Sequence, residues 1–205
     1  MSYVVRARRE RYRGPVFTVL TDEVRMPGGD YAGRDYVVHV GAVGVVAVDE
    51  QDRVVLVHQY RHPIGYPLWE LPAGLIDVEG EGLPEAAARE LAEEADLRAD
   101  RWQLLVDVHP SPGFSTEVIR LYLARDLSEV PHADRHERKH EEAELTVARV
   151  PLEEAAAMAF RGEITNGACL IGVLAAVRLR DQGWPETRPL DAPLPRPEPA
   201  PVVPA

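Results

Sequence analysis

The sequence has a single cysteine and no long hydrophobic run, and each shortage excludes a class of protein. Cys169 is the only cysteine among 205 residues, so an internal disulfide is impossible and a reducing cytoplasm is the expected location. No stretch approaches the length of about eighteen apolar residues that a membrane span needs, and the N-terminus lacks the apolar core of an export signal. We therefore expect no membrane partner.

Positive charge is also in short supply. The chain has 34 acidic and 23 basic residues and a net charge of −11 at pH 7, which argues against nucleic acid as a ligand. An anionic small molecule is still possible, because a bound metal ion inverts the local charge. Several arginines nevertheless crowd the N-terminus: Arg6, Arg8, Arg9, Arg11 and Arg13. They predict a solvated arm or a charged edge strand, or else a contact with substrate phosphate or a partner subunit.

The segment from Gly74 to Leu97 favours a helix with two chemically different faces. Glu90, Glu93 and Glu94 stand at positions i, i+3 and i+4, so three carboxylates share one face. Because like charges at this spacing repel, a hard divalent cation such as Mg²⁺ is their natural partner, and a solvated acidic helix is the alternative. The opposite face is expected to dock on a core through Ala88, Leu91, Ala92 and Ala95.

The whole string GLIDVEGEGLPEAAARELAEEADL resembles the signature of the Nudix hydrolases, which cleave nucleoside diphosphates linked to another group. Two features depart from the usual signature. One extra residue separates Gly74 from Glu81, and Asp96 replaces the glycine usual near the end. Aspartate tolerates the left-handed backbone that a helix C-terminus favours better than most residues do, so this substitution is compatible with the helix.

The resemblance implies a metal site and names its ligands. Glu90, Glu94 and the carbonyl of Ala73 would hold the metal, and Glu93 would hold it directly or through water. Mg²⁺ is the expected ion, with Mn²⁺ as an alternative. Arg89 is expected to orient one of the signature carboxylates through an ion pair, and Glu93 is a candidate for the catalytic carboxylate.

Two further segments resemble the ADP-ribose pyrophosphatase branch of this family. One comprises Gln59-Tyr60-Arg61 and Trp69-Glu70-Leu71-Pro72-Ala73-Gly74, and the other is Ser111-Pro112-Gly113 followed by Glu117. The substrate-binding residues that this likeness implies are Arg61, Trp69, Ser111, Pro112, Gly113 and Glu117. A guanidinium suits bidentate contact with pyrophosphate, although a surface arginine is the alternative for Arg61. Trp69 can equally be a core residue, and Glu117 can hold a ribose hydroxyl or a metal-bound water, or simply begin a strand.

A polar loop before the last strand contains candidates for the general base. Members of the ADP-ribose branch place a mobile glutamate there, which implies Glu141 or Glu142, with Glu141 preferred. A solvated charged loop is the alternative reading. Cys169 is expected to be a core residue of the last helix.

The order of strands and helices predicts an α/β protein. The resemblance makes it a Nudix-type α/β/α sandwich with a mixed sheet, preceded by a small N-terminal β unit. The expected domains are residues 1–40 as the β unit, 41–183 as the catalytic domain and 184–205 as a proline-rich disordered tail. Two closing helices are expected at 152–160 and 166–180, the second capped by Thr165 or Asn166.

The function implied by the resemblance is Mg²⁺-dependent hydrolysis of ADP-ribose to AMP and ribose 5-phosphate. Two alternatives remain: a diphosphatase for another nucleoside diphosphate sugar, such as GDP-mannose or UDP-glucose, and a Nudix domain that binds ADP-ribose without cleaving it. Relatives in the sugar-nucleotide branch swap their N-terminal β unit across a dimer, so a homodimer is also implied.

Overall fold

The computed structural model describes residues 3–138, 144–195 and 198–203 of the chain, which forms two compact units. The first unit contains Met1–Gly41, His109–Val118 and Pro195–Ala205, and the second contains Ala42–Val108 and Ile119–Leu194. These boundaries depart from the expected domains, because the first unit takes residues from the middle and from the end of the chain as well as from the beginning.

The first unit contains an antiparallel sheet whose edge is the arginine-rich segment. Its strands, in spatial order, are β1 (Val5–Arg13), β2 (Phe17–Arg25) and β3 (Tyr31–His39). Arg8 donates two hydrogen bonds of 2.7 Å to the buried carboxylate of Asp22, which also accepts one of 3.0 Å from Tyr36. Burial and the bond to Asp22 raise the pKa of Tyr36 to about 12. The prediction of a charged edge strand is confirmed.

The second unit contains two sheets. Its strands are β4 (Ala42–Ala47), β5 (Arg53–Arg61), β6 (Tyr66–Glu70), β7 (Ala73–Leu75), β8 (Leu97–Val108), β9 (Ile119–Glu129) and β10 (Thr146–Pro151). One sheet has the order β7-β4-β9-β8 and is mixed, because β4 runs parallel to β9 and antiparallel to β7. The other, β10-β5-β6, is antiparallel.

Helices cover both faces of the mixed sheet. They are α1 (Leu83–Ala95), α2 (Leu152–Phe160) and α3 (Gly167–Asp181). On β4, Val43 and Val45 belong to a core cluster that includes Leu91 of α1, whereas Val46 belongs to one that includes Val173 of α3. Because successive side chains of a strand point to opposite faces, this division places one helical layer on each side. The prediction of an α/β/α sandwich is confirmed.

The helix ends follow from local sequence. Pro84 lies in the first turn of α1, where its missing N–H costs nothing. The helix ends at Asp96 in the left-handed conformation (φ 56°), as expected. Asn166 caps α3 by accepting a 2.9 Å hydrogen bond from the backbone N–H of Cys169, a buried core residue. Burial raises the pKa of the Cys169 thiol to about 12, with a further contribution from Glu70. Among the described helices, none is long and apolar enough to cross a bilayer.

Residues 184–194 differ from the expected disordered tail. Arg120 donates hydrogen bonds to the carbonyl of Ala192 at 2.6 Å and to both carboxylate oxygens of Asp107, at 2.7 and 3.1 Å. Thr187 bonds the carbonyl of Leu104, and Leu190 packs against the core cluster that includes α1. A proline-rich segment cannot pair its missing N–H groups in a ladder, but its carbonyls still accept bonds from side chains. This segment is therefore held by side-chain bonds and by one isolated β-bridge between Arg188 and Leu104.

Candidate active site

Helix α1 presents its glutamates differently from the expected pattern. Glu90 and Glu94 are 8% and 5% exposed and lie on the buried face together with Leu91, whereas the side chain of Glu93 is 31% exposed. The prediction that the acidic face lies opposite the core is therefore wrong. Two buried carboxylates need partners, because an ion without them is costly to remove from water. The backbone N–H of Ala73 in β7 supplies one, donating 2.9 Å to Glu94 Oε2.

Arg89 is the centre of the carboxylate cluster. Its Nη1 donates to Glu90 at 2.6 Å and to Glu93 at 3.2 Å, and its Nε and Nη2 donate to the two oxygens of Glu81 at 3.0 and 3.1 Å. The bidentate contact lowers the pKa of Glu81, and the pKa of Arg89 is raised chiefly by the same contact. Glu81 thus reaches the cluster despite the extra residue after Gly74. The expected ion pair between Arg89 and signature carboxylates is present.

Gly74 leaves the space into which Glu90 extends. A Cβ placed on this glycine would lie 2.0 Å from Glu90 Oε1 and 2.6 Å from Glu90 Oε2, which is far inside van der Waals contact. The absence of a side chain on β7 therefore allows the carboxylate to lie against the backbone of the strand. The lack of a side chain at Gly74 therefore determines where the carboxylate oxygens of Glu90 lie.

The cluster has the donor chemistry of a site for a hard divalent cation. It contains the carboxylates of Glu90, Glu93 and Glu94, a ligand type that Mg²⁺ and Mn²⁺ prefer, and the backbone of Ala73 lies beside Glu94. Within residues 3–138, 144–195 and 198–203, no three His, Cys, Asp or Glu side chains converge in a ready-made metal site. The physical reason lies in Arg89, whose guanidinium holds Glu90 and Glu93. The carboxylates of the cluster are of the donor type that suits such a cation.

Replacement of Gly74 by alanine is expected to lower activity without unfolding the protein. The new Cβ meets only the end of the Glu90 side chain, which can rotate away, so the fold survives while the carboxylate is displaced. A displacement of about 1 Å near reacting groups can cost on the order of tenfold to a hundredfold in turnover. Steady-state hydrolysis and thermal unfolding of Gly74→Ala measure the two effects. Gly28→Ala, where a Cβ meets nothing within 4 Å, is the control. Unchanged turnover in Gly74→Ala would contradict the role of this space.

Arg61 lies at the end of β5 and is engaged by a partner that the sequence analysis did not identify. Its Nε and Nη2 donate to the two carboxylate oxygens of Glu70 at 2.9 and 2.7 Å, and Glu70 is only 3% exposed. The neighbouring Trp69 stacks against His58 with 4.6 Å between ring centroids and packs partly against the core. Arg61 is therefore not an isolated surface arginine, because a buried carboxylate fixes the plane of its guanidinium.

The segment Ser111–Glu117 belongs to the first unit. The backbone N–H of Ser115 donates 2.9 Å to the carbonyl of Ser111, which closes a turn whose exposed tip is Pro112-Gly113. Glu117 has its backbone N–H bonded to Ser115 Oγ and its carboxylate 3.9 Å from His39 Nδ1. Pro112 and Gly113 are exposed, whereas Ser111 and Glu117 are partly buried. Glu141 and Glu142, the candidates for the general base, lie outside the described residues.

Glu70 and Gly74 stand in the motifs quoted above, but the sequence alone assigned neither of them a role in the site. A signal for Glu70 existed, because an acidic residue at the end of an apolar strand must find a cation, and Arg61 is close to it in sequence. Gly74 had no such signal beyond its place in the signature. Only the position of the Glu90 carboxylate shows why a side chain is excluded there.

The amino-acid sequence of this chain is similar to those of known proteins. A model of the NUDIX domain matches residues 38–167. The ADP-ribose pyrophosphatase of Mycobacterium tuberculosis is 48% identical over 180 residues, covering 88% of this chain and 85% of that protein. The ADP-ribose pyrophosphatase of Bacillus subtilis is 33% identical over 150 residues, covering 73% and 78%.

A solved structure described as an ADP compounds hydrolase is similar in fold. It superposes with a TM-score of 0.74, at 23% sequence identity, over 90% of this chain and 97% of that one. At this level of identity the match supports the fold alone. The chemistry of the site is inferred from the residues of the cluster.

Proposed function

The chain belongs to the Nudix family of hydrolases, and we propose that it hydrolyses the pyrophosphate bond of ADP-ribose to AMP and ribose 5-phosphate. The observation that carries this proposal is the glutamate cluster of α1. Arg89 bonds Glu90, which lies in the space left by Gly74 of β7, and the N–H of Ala73 bonds Glu94. The substrate is supported by the two relatives named ADP-ribose pyrophosphatases and by the Ser-Pro-Gly sequence from Ser111.

Nudix hydrolases generally use divalent cations, and we propose Mg²⁺ here, with Mn²⁺ as a substitute. The ion would be held by Glu90, Glu93, Glu94 and the carbonyl of Ala73, whose hard oxygens suit it. When bound, a divalent cation supplies charge neutralisation at phosphate oxygens and acidifies water for attack on phosphorus. In the balanced reaction, the oxygen of water forms a bond to one phosphorus atom of the bridge, and the bond from that atom to the bridging oxygen breaks. The bridging oxygen stays with the other phosphate.

The residues of the chain orient and prepare the site. Arg89 fixes the side chains of Glu90 and Glu93, and the N–H of Ala73 fixes that of Glu94, so three carboxylates start from defined positions. Such positioning lowers the reorganisation that the reaction would otherwise require. We propose that Arg61, oriented by Glu70, contacts the pyrophosphate.

Other roles rest on the family resemblance. A glutamate of the loop, Glu141 or Glu142, would remove the proton of the attacking water. Ser111, Pro112, Gly113 and Glu117 would contact the sugar side of the substrate, and Trp69 is a further candidate contact.

A panel of nucleoside diphosphate sugars tests the proposed substrate. ADP-ribose, ADP-glucose, GDP-mannose and UDP-glucose are each incubated with the purified chain and Mg²⁺, and the released nucleoside monophosphate is measured. We expect the highest kcat/KM with ADP-ribose, giving AMP. Comparable rates across the panel would overturn the ADP-ribose assignment and keep the reaction type. Calorimetric binding of ADP-ribose without any product would instead favour a non-catalytic binding domain.

We also propose that the chain is a cytoplasmic homodimer. The single buried cysteine and the family resemblance support this assignment. The sheet of the first unit presents exposed aromatic side chains, Tyr12, Phe17 and Tyr31, of the kind that partner surfaces use. Sedimentation velocity of the full chain measures the mass, and a monomer at micromolar concentration would overturn the dimer.

A further inference from the structure

A second groove of the second unit has the chemistry of a ligand site. It lies between β8, β9 and the segment 184–190, and its volume is about 400 Å³. Its lining includes Arg101, Gln103, Arg125, Trp184 and Arg188. None of these residues takes part in the glutamate cluster of α1. The groove exists because residues 184–190 are held against the sheet rather than disordered.

Two arginines of the lining lie side by side on neighbouring strands. Arg101 of β8 and Arg125 of β9 are direct cross-strand partners, a placement in which like charges repel. Burial and the charge of Arg101 lower the pKa of Arg125. No ion pair of Arg125 is found among the described residues, and Arg188 shares the carboxylate of Asp107, at 2.9 Å, with Arg120. The groove therefore has an excess of positive charge.

Unsatisfied polar atoms lie in the same place. Arg125 Nε is a buried donor, and Gln103 Oε1 a buried acceptor, that have no hydrogen-bond partner in the described part of the chain. The amide nitrogen of Gln103 is in use, because it donates 3.1 Å to the carbonyl of Pro185. Buried polar groups are almost always paired, so this donor and this acceptor are exceptions that call for an explanation.

Trp184 covers Arg125 from a backbone conformation that a bulky residue rarely adopts. The guanidinium carbon of Arg125 lies 4.6 Å from the centroid of the Trp184 ring. Trp184 has a φ of 57°, in the left-handed region, and follows Gly183 with a φ of 78°. Its N–H donates 2.9 Å to the carbonyl of Leu179, which holds the turn. Strained conformations of this kind are characteristic of ligand sites.

We propose that this groove binds a nucleoside monophosphate. Arg101 and Arg125 would hold the phosphate, because guanidinium groups bind phosphate oxygens through paired N–H donors. The base would stack on the indole of Trp184, since aromatic faces accept any base. The carboxylate that lines the groove among these residues, Glu186, is exposed, so solvent screens its repulsion. The inference is independent of the hydrolytic reaction.

Calorimetric titration of the full chain with AMP tests this proposal. The variants are Arg101→Gln, Arg125→Gln and the control Arg98→Gln, an exposed arginine of β8 outside the groove lining. Arg101 is exposed, so its replacement does not endanger the fold if Arg125→Gln proves unstable. We expect the wild type and Arg98→Gln to bind AMP in the groove with the same affinity. In Arg101→Gln and Arg125→Gln, the affinity of that site should fall by about tenfold or more.

The proposed catalytic site is expected to bind AMP as well, so the wild type should show two classes of sites and the groove variants one. If the proposed hydrolysis is wrong but the groove binds, the wild type shows one class and the groove variants none. Equal AMP binding in all four proteins would overturn the inference. Inorganic phosphate or adenosine binding the groove as tightly as AMP would also overturn it, because the first requires no base and the second no phosphate.

Discussion

Replacement of Glu94 by glutamine is expected to lower turnover by more than about a hundredfold while the fold is retained, on the scale of the individual catalytic terms in metal-dependent hydrolysis. Glutamine has nearly the same shape, and its side-chain oxygen can still accept the hydrogen bond from Ala73 N–H. The variant therefore removes charge from a buried position, where it matters most for holding a cation. Steady-state release of AMP from ADP-ribose at saturating Mg²⁺ gives the value.

Glu85→Gln is the matched control for this prediction. Glu85 lies in the first turn of the same helix, but it is exposed and makes no contact with Arg89 among the described residues. It should retain turnover within about twofold, as surface substitutions usually do. Near wild-type hydrolysis in Glu94→Gln would remove the carboxylate cluster from the account of catalysis.

The second large effect concerns stability. Arg120→Met is expected to lower the free energy of unfolding by roughly 3–5 kcal/mol, the usual loss when one partner of a buried ion pair is removed. Arg120 is 1% exposed and pairs with Asp107, whose side chain is 7% exposed. It also holds the carbonyls of Ala192 and Pro193. Urea unfolding measures the loss, and the exposed Arg98→Met should change stability by less than about 0.5 kcal/mol.

Two further measurements identify the origin of that loss. Arg120→Met combined with Asp107→Leu should be less destabilised than the sum of the single variants, because no unpaired carboxylate remains buried. Burial alone would raise the pKa of Asp107, but hydrogen bonds from Arg120 and Arg188 lower it below 3.8. Stability from a lowered pKa is present above the unfolded value and is lost as the pH falls through the folded one. The difference between wild type and Arg120→Met should therefore shrink below about pH 4. A constant difference down to pH 2 would contradict this explanation.

Much of the fold could be predicted from local patterns. Helix α2 was expected at the residues where it occurs, and α3 nearly so, because apolar spacing and an Asn166 cap are local signals. Strand β8 begins at Leu97, and its start has no local signal of this kind. Its first half alternates charged and small residues and is stabilised by pairing with β9, a contact distant in sequence. The ordered segment 184–194 was missed for the same reason, since the side chain of Arg120 holds it.

Some features of the candidate site could likewise be predicted from local sequence, whereas others depend on contacts between elements distant in the sequence. The clustering of Glu90, Glu93 and Glu94 follows from helical spacing, and the ion pair of Arg89 was expected. The burial of Glu90 and Glu94 could not be read from the helix alone, because it depends on Gly74 and Ala73 of a separate strand. Arg61 was predicted to contact substrate, and its bidentate bond to the buried Glu70 is formed where β5 and β6 pair.

Binding of Mn²⁺ to the full chain, followed by electron paramagnetic resonance, measures whether the carboxylates of α1 hold a cation. We expect the wild type and Glu85→Gln to bind the ion and Glu94→Gln to bind it at least about tenfold more weakly, since one anionic oxygen ligand is lost. Equal affinity in all three proteins, or no bound ion in the wild type, would contradict the claim that the carboxylates of α1 hold the cation.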